Sequence, residues 1–328
     1  LWNHLQFDSH GLFLLALTDA LRSRTITEDD LSENDFELLS FFPAFFRETN
    51  YSKRGDAGPW EEELQNNAST IGLIAAGLRE YKKQFIDTIS LHERLQKAIF
   101  RLKYSSSTIE KIKLAICPEE LKKLIQDGIA RVEYNLSFGG EAPALSEIGL
   151  DRKADAALFF LCLPDHSLYS DDLEKMQTIL NMNTGLIGPY GVFRYKLDPY
   201  QAMNYWIDSN IPSAIRGTQT QDFLFLTRFH KGYNPSNQPH DEQWFFDSII
   251  AGIYYNLSQM VSDQVKQKYS LREGDIHLKR ALGQFTSPDA IASNGEKLSA
   301  LCLPESINTV STQNHFFKPM PSPICPLG

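Results

Sequence analysis

The sequence predicts an all-α fold, an α/α toroid in which an inner ring of helices is surrounded by an outer ring. Segments that are apolar on nearly every face alternate along the chain with amphipathic segments. Inner helices touch neighbours on both sides and are therefore apolar all round, whereas outer helices bury a single stripe. A four-helix bundle would contain amphipathic helices only. The 328 residues are enough for a sizeable core, and we assign residues 1–328 to one domain.

The first part of the chain contains two such pairs of segments. Residues 9–22 and 68–79 carry apolar side chains on most faces, which predicts two helices that are buried on all sides. Residues 33–48 and 88–103 are amphipathic, and the second of them repeats apolar side chains at helical spacing. A proline opens a further helix over residues 118–129, because proline is favoured in the first turn.

The second part of the chain continues the alternation with longer interruptions. Residues 155–163 form a compact apolar run that suits either a buried helix or a strand, and its length does not decide between them. Residues 171–182 and 272–284 predict amphipathic helices, and residues 242–258 predict a third helix that is apolar all round. Between them, residues 185–200 form a long loop punctuated by glycines.

Loops rich in aromatic and polar side chains precede the three segments that are apolar all round. These loops span residues 2–8, 60–67 and 240–243. If the inner helices are parallel, the three loops meet at one end of the toroid and form a shared pocket. The glycine- and proline-rich residues 138–143 are also predicted to form a loop, and we assign no chemistry to that segment.

Charge and cysteine usage exclude several classes of protein. A net charge of −9 without a basic run argues against a nucleic-acid surface. No apolar run reaches the roughly 18 residues that a membrane span needs. The four cysteines are widely scattered, which indicates neither a zinc site nor a disulfide framework. We therefore expect reduced thiols in a cytoplasmic protein, with no metal, no cofactor, no nucleic-acid partner and no membrane partner.

Tryptophan beside clustered acids suggests carbohydrate chemistry. Sugar rings bind to aromatic faces and to polar side chains that hold hydroxyls, and glycoside hydrolysis needs two carboxyl groups. The predicted loops supply both kinds of side chain. The candidates are Trp2, His4, Gln6, Asp8, Trp60, Glu61, Glu62, Tyr190, Arg194, Tyr195, Asp198, Glu242, Trp244 and Glu305. Each also has a structural interpretation: the tryptophans suit a core, and the run Glu61 to Glu63 suits the first turn of a helix, where acids complement the macrodipole.

Four short motifs in this order resemble glycoside hydrolase family 15. They are Trp2-Asn-His-Leu-Gln6-Phe-Asp8, then Trp60-Glu61 followed by Asn67-Ala-Ser, then Tyr190-Gly-Val-Phe-Arg194-Tyr195-Lys-Leu-Asp198-Pro-Tyr200, and Leu303-Pro304-Glu305. The family includes glucoamylases and glucodextranases, and a domain of the phosphorylase kinase regulatory subunits is related to it. The resemblance covers essentially the whole chain and implies an (α/α)6 barrel, in agreement with the alternation of buried and amphipathic segments.

The resemblance also implies a role for several residues. Glu61 matches the general acid, and Glu305 matches the general base that activates water. The family inverts the anomeric centre, so the two carboxyl groups are expected roughly 6.5–9.5 Å apart. Arg194 matches an arginine that grips sugar hydroxyls. Trp2 matches a tryptophan that lines the site, and Glu62 matches an acid that contacts the substrate. Burial against Trp60 and the neighbouring acids would keep Glu61 protonated.

The chain departs from the family at both ends. The aromatic–Trp–Arg–Asp motif that contributes ligands for the terminal sugar is absent, and the family's final helix would follow the last residue. We therefore expect a fragment of a longer chain whose barrel either lacks its first and last helices or is built with fewer helices.

Two functions of different classes remain open at this stage. The first is an inverting, exo-acting glycoside hydrolase that releases glucose from α-glucans or short α-glucosides. The second is a carbohydrate-binding regulatory module without efficient turnover, like the regulatory subunits of phosphorylase kinase. A plain helical scaffold is disfavoured, because two loops that combine tryptophan with acids are expected to meet at one pocket.

Overall fold

The computed structural model describes residues 5–61, 64–143, 152–195, 242–292, 295, 297–308 and 320–321. Within these ranges the protein is mostly helical, which confirms the predicted all-α class. Four of the candidate site residues, namely Trp2, His4, Glu62 and Asp198, lie outside the described residues. Closure of the helices into an (α/α)6 barrel stays a prediction.

The described helices and strands are numbered in chain order. The helices are α1 Asp8–Arg22, α2 Glu33–Thr49, α3 Ala68–Tyr81, α4 Ile89–Arg101, α5 Ser106–Ala115, α6 Pro118–Phe138, α7 Leu173–Asn183, α8 Asp247–Met260 and α9 Gln264–Gly283. The strands are β1 Glu242–Trp244, β2 Ser306–Asn308 and β3 Met320–Pro321. Short 3-10 turns lie at Glu28–Asp30, Ala156–Cys162 and Thr184–Leu186, and a π-helical turn lies at Lys82–Ile86.

Helix α3 is buried on all sides, as the pattern of residues 68–79 predicted. Every residue of α3 except Arg79 is buried, and the helix packs against α1, against α6 and against the 3-10 turn Ala156–Cys162. Two glycines allow the backbones of α1 and α3 to approach closely. A Cβ at Gly11 would lie 2.7 Å from the Ile74 nitrogen, and a Cβ at Gly77 would lie 2.8 Å from the Gly11 oxygen. Because α3 has neighbours on all sides, the apolar side chains on its faces are removed from water.

Helix α1 differs from its prediction. It was expected to be buried all round, yet Leu12 and Phe13 are 42% and 45% exposed. The buried residues of α1 lie on the side that faces α3, namely Gly11, Leu14, Leu15, Thr18 and Leu21. The apolar run therefore overstates the burial of α1, since residues of the run on the opposite face remain exposed to solvent.

The predicted helix over residues 242–258 begins later than expected. Glu242 to Trp244 form strand β1, which pairs with β2 in a small antiparallel sheet of order β1–β2–β3. Trp244 also exchanges backbone hydrogen bonds with Val192, at 2.7 Å and 3.0 Å. Helix α8 starts only at Asp247. An apolar aromatic run suits a strand as well as a buried helix, and long-range pairing decides in favour of the strand.

Several other boundaries were predicted incompletely. Helix α5 was not predicted at all, α6 continues to Phe138, and α9 begins at Gln264. The undecided run at 155–163 forms the 3-10 turn Ala156–Cys162. In the part of the chain that the structure describes, no helix is long and apolar enough to cross a membrane.

Candidate functional site

The described residues between Asp56 and Gln65 form a loop between α2 and α3. An antiparallel bridge closes it, with Asp56 and Gln65 exchanging two backbone hydrogen bonds of 2.9 Å. The chain reverses at Gly58, whose φ is 63°, and again at Glu61, whose φ is 57°. A side chain in the left-handed region costs about 1–3 kcal/mol, and such residues cluster at functional sites. Glu61 therefore occupies a backbone conformation that the surrounding loop must enforce.

Asp56 fixes this loop to the helices behind it. Its buried carboxylate accepts hydrogen bonds from the backbone nitrogens of Phe7 and Gly58 and from the side chains of Asn67 and Thr70, at 3.1–3.3 Å. Burial raises the pKa of Asp56 to about 7. The loop is thus tied both to the start of α1 and to the start of α3.

Glu61 lies at the centre of a group of polar side chains. Gln6 Nε2 donates a 3.0 Å hydrogen bond to Glu61 Oε1. Burial raises the pKa of Asp8, and the charge of Glu61 raises it further. The pKa of Glu305 is raised in the same way, first by burial and then by Glu61, while the charge of Arg194 lowers it. The structure therefore brings the two candidate catalytic acids, Glu61 and Glu305, within electrostatic reach of each other.

Asp8 has an oxygen that is available for a further hydrogen bond. Its Oδ1 is buried and has no hydrogen-bond partner among the described residues. A buried acceptor without a donor costs about 1–3 kcal/mol, so a site of this kind favours a ligand that brings a hydroxyl. Asp8 was chosen from sequence as a candidate ligand for sugar hydroxyls, and its position beside Glu61 suits that role.

Aromatic rings and a buried arginine line the site. Trp60 and Trp244 meet edge to face with their ring centroids 5.4 Å apart. The Arg194 guanidinium lies 5.4 Å from the Trp60 and Tyr195 rings and 5.5 Å from the Trp244 ring. Arg194 is only 2% exposed, so its guanidinium is buried among these rings. Three aromatic faces favour the cation and hold it beside the acids.

Asp155 supports Trp60 from behind. Trp60 Nε1 donates a 2.8 Å hydrogen bond to Asp155 Oδ1, and Arg152 donates to the other carboxylate oxygen at 2.7 Å and 2.8 Å. Burial raises the pKa of Asp155, and the charge of Arg152 opposes that rise. The Arg194 carbonyl accepts a 2.7 Å hydrogen bond from Ala156. Trp60 and Arg194 are therefore attached to the same buried segment.

Glu141 extends this network into a segment to which we assigned no chemistry. It is buried, and it accepts hydrogen bonds from the backbone nitrogen and the hydroxyl of Ser69 at the start of α3. Burial and the charge of Asp155 raise the pKa of Glu141 to about 8. No local pattern indicated this burial, because an acid in a glycine-rich stretch resembles an exposed loop residue until α3 and Asp155 are placed against it.

The remaining candidates have different positions. Tyr190 is 43% exposed at the tip of a hairpin in which Ile187 pairs with Val192. Tyr195 is buried and pairs through its backbone with Asp155. Glu242 lies in β1, next to the Gln243 amide that contacts the hairpin.

Sequence reasoning missed four polar residues that support the site: Asp56, Glu141, Arg152 and Asp155. Only Asp155 carried a local signal. It precedes an apolar run and caps it, since its Oδ1 accepts a 2.8 Å hydrogen bond from the Ala157 nitrogen. Arg152 pairs with Asp155, only three residues further along the chain, whereas the contacts of Asp56 and Glu141 include segments that are distant in the chain and that a local pattern could not reveal.

Comparison of the chain with protein-family models, with curated proteins and with solved structures gives no match. The interpretation of the site therefore depends on its chemistry. The site combines two neighbouring carboxyl groups, a buried guanidinium, tryptophan rings and a buried carboxylate oxygen that has no hydrogen-bond donor among the described residues. Carboxyl groups in such a setting can donate and accept protons.

Proposed function

We propose that this protein is an inverting, exo-acting glycoside hydrolase that releases glucose from α-glucans or short α-glucosides. One observation carries the proposal: Glu61 and Glu305 interact electrostatically, and Arg194 influences the same centre while it lies buried against Trp60 and Trp244. These residues come from four distant parts of the chain. The resemblance to glycoside hydrolase family 15, with its (α/α)6 barrel, rests on the same residues.

In the proposed reaction the two acids act on opposite faces of the sugar. Glu61 gives its proton to the glycosidic oxygen, and the bond between that oxygen and the anomeric carbon breaks. Glu305 takes a proton from a water molecule, whose oxygen forms the new bond to the anomeric carbon from the other face. An α-linked substrate then yields β-glucose. Glu61 loses one proton and Glu305 gains one, so the total number of protons on the pair is unchanged.

The division of work requires Glu305 to be ionised, which burial and the charge of Glu61 oppose and the charge of Arg194 favours. Two neighbouring carboxyl groups resist simultaneous ionisation, because their negative charges repel each other. The raised pKa of Glu305 makes it a stronger base whenever it is ionised. Arg194 stabilises the ionised form of Glu305 and offers donors to sugar hydroxyls, while Asp8 Oδ1 offers an acceptor.

Product analysis tests the proposal directly. The full chain is incubated with maltooligosaccharides, and proton NMR follows the release of glucose and its first-formed anomer. We expect β-glucose from the wild type and a loss of about 10²–10⁴-fold in rate for Glu61→Gln and for Glu305→Gln, as for other general acids and bases. Glu110→Gln is the matched control, since Glu110 is an exposed acid on α5.

Two results would contradict the proposal. Release of α-glucose would rule out an inverting pair. Binding of maltooligosaccharides by the wild type without any release of glucose would indicate the second function, a carbohydrate-binding regulatory module.

A further inference from the structure

The hairpin tip Gly188–Gly191 is held by side chains from outside the hairpin. Gln243 Oε1 accepts hydrogen bonds from the backbone nitrogens of Tyr190 and Gly191, at 2.8 Å and 3.1 Å. Arg280 Nη2 donates to the carbonyls of Gly188 and Gly191, at 2.6 Å and 3.1 Å. Exposed hairpin tips usually leave such groups to water, so this tip has an unusually complete set of protein partners.

Gln284 completes the set and connects it to Asp247. Gln284 Nε2 donates to the Tyr190 carbonyl at 2.8 Å and to Asp247 Oδ2 at 3.0 Å. Arg280 Nε donates to Asp247 Oδ1 at 2.7 Å, and His277 Nδ1 lies 2.6 Å from the same oxygen. His277, Arg280 and Gln284 are spaced by three and four residues, which places them on one side of α9 and its end. The fully buried Asp247 therefore fixes the side chains that grip the hairpin.

The hairpin leads directly to the candidate site. Val192 pairs with Trp244, whose ring lies 5.5 Å from the Arg194 guanidinium. Tyr190 lies at the tip of the hairpin, and Arg194 lies two residues after Val192. The glycines are needed for this contact, because a Cβ at Gly188 would lie 2.1 Å from Gln243 Oε1 and one at Gly191 would lie 2.7 Å from the Trp244 oxygen.

We infer that Arg280, on helix α9, is a positioning residue that holds the hairpin tip and thereby sets Tyr190 and Arg194 for carbohydrate binding. The effect on binding rests on the proposed function, whereas the hold on the hairpin does not. Arg280 touches neither Glu61 nor Glu305 in any described contact, so it acts through the backbone of the hairpin. Its planar guanidinium is suited to this task, because one side chain can bond a carboxylate and two carbonyls together.

The inference predicts a local loosening when the guanidinium is removed. In Arg280→Gln we expect hydrogen exchange in peptides covering residues 186–195 to become about tenfold faster or more, while peptides from α3 exchange at the wild-type rate. Arg280→Lys keeps a charge opposite Asp247 but cannot make all the bonds, so its exchange should lie between the two. Arg272→Lys is the matched control, since Arg272 is an exposed arginine on the same helix.

Kinetics distinguish positioning from mere stabilisation. Because Arg194 is proposed to grip hydroxyls in both ground and transition states, Arg280→Gln should raise KM for maltotriose about tenfold and change kcat by less than about threefold. Arg280→Lys should recover part of the KM. If Arg280 had only a structural role, Arg280→Gln would lower the stability of the whole protein and leave the ratio of KM to kcat unchanged.

Each outcome supports or overturns the inference. Unchanged exchange at residues 186–195 in a folded Arg280→Gln protein would overturn the hold on the hairpin. Exchange that rises equally in the α3 peptides would overturn it as well. Faster local exchange with an unchanged KM would overturn the role in binding. If the wild type releases no glucose and binds no maltotriose, the proposed function and the role in binding fall together, and exchange alone decides whether Arg280 holds the hairpin. If Arg280→Gln does not fold, Arg280→Lys carries both measurements.

Discussion

Gln6 donates a 3.0 Å hydrogen bond to Glu61, joining the residues just before α1 to a loop that lies some fifty positions later in the chain. The bond fixes the direction of the carboxyl group that, in the proposed reaction, gives its proton to the glycosidic oxygen. It also means that the segment before α1 contributes to the candidate site through the Gln6 side chain.

Replacement of Gln6 tests the importance of this orientation. We expect Gln6→Met, which keeps the length of the side chain but removes its donor, to lower kcat about tenfold because the Glu61 carboxyl is no longer aligned. Steady-state kinetics on maltotriose measure the effect, and Gln126→Met on the exposed face of α6 is the control. An unchanged kcat would mean that the surrounding loop alone aligns Glu61.

We predict that the backbone conformation of Glu61 lowers the stability of the folded protein. Its φ of 57° is strained for any residue with a Cβ, and glycine adopts it freely. Both Glu61→Ala and Glu61→Gly remove the carboxyl group, so their difference isolates the backbone. We expect Glu61→Gly to be about 1 kcal/mol more stable than Glu61→Ala in urea unfolding, although both lose activity. Equal stabilities would show that the loop relaxes once the acid is gone.

Some of this arrangement is accessible from sequence and some is not. The helical period and the unbroken apolar surface of residues 68–79 predict α3, because burial on all sides leaves a local signature. The long-range partners of Glu141 and Asp247 leave none, since an acid is marked as buried only by the distant groups that surround it. For Trp244 the local pattern misled: an aromatic run fits a helix or a strand, and pairing with Val192 and β2 decides. In α1 the local pattern overstates burial, because the apolar run includes Leu12 and Phe13, which are exposed.

Close contact between α1 and α3 gives a prediction about the core. A methyl group at Gly77 would lie 2.8 Å from the backbone oxygen of Gly11, which cannot move without shifting α1. We expect Gly77→Ala to destabilise the protein by about 1–3 kcal/mol. Gly283→Ala is the control, because a Cβ there meets no described atom within 4 Å. The higher helix propensity of alanine should then raise the free energy of unfolding by about 0.5–1 kcal/mol. Urea unfolding of both variants measures the contrast, and similar effects at the two glycines would contradict the close packing of α1 on α3.

Glu141 gives a prediction about pH. Burial and Asp155 raise its pKa from 4.5 to about 8, so between these values the folded state keeps a proton that the unfolded state releases. Its contribution to stability is therefore complete below about pH 4.5 and is lost as the pH rises towards 8, with a slope of at most about 1.4 kcal/mol per pH unit. Glu141→Gln removes this proton and keeps the shape and both contacts with Ser69. Urea unfolding at pH 5.5 and pH 7.5 should show that the wild type loses about 1–3 kcal/mol more than Glu141→Gln over this interval. Glu110→Gln, at an exposed acid, should follow the wild type. Parallel pH profiles for the wild type and Glu141→Gln would show that Glu141 is already ionised in the folded protein, with Arg152 compensating for two buried charges rather than one.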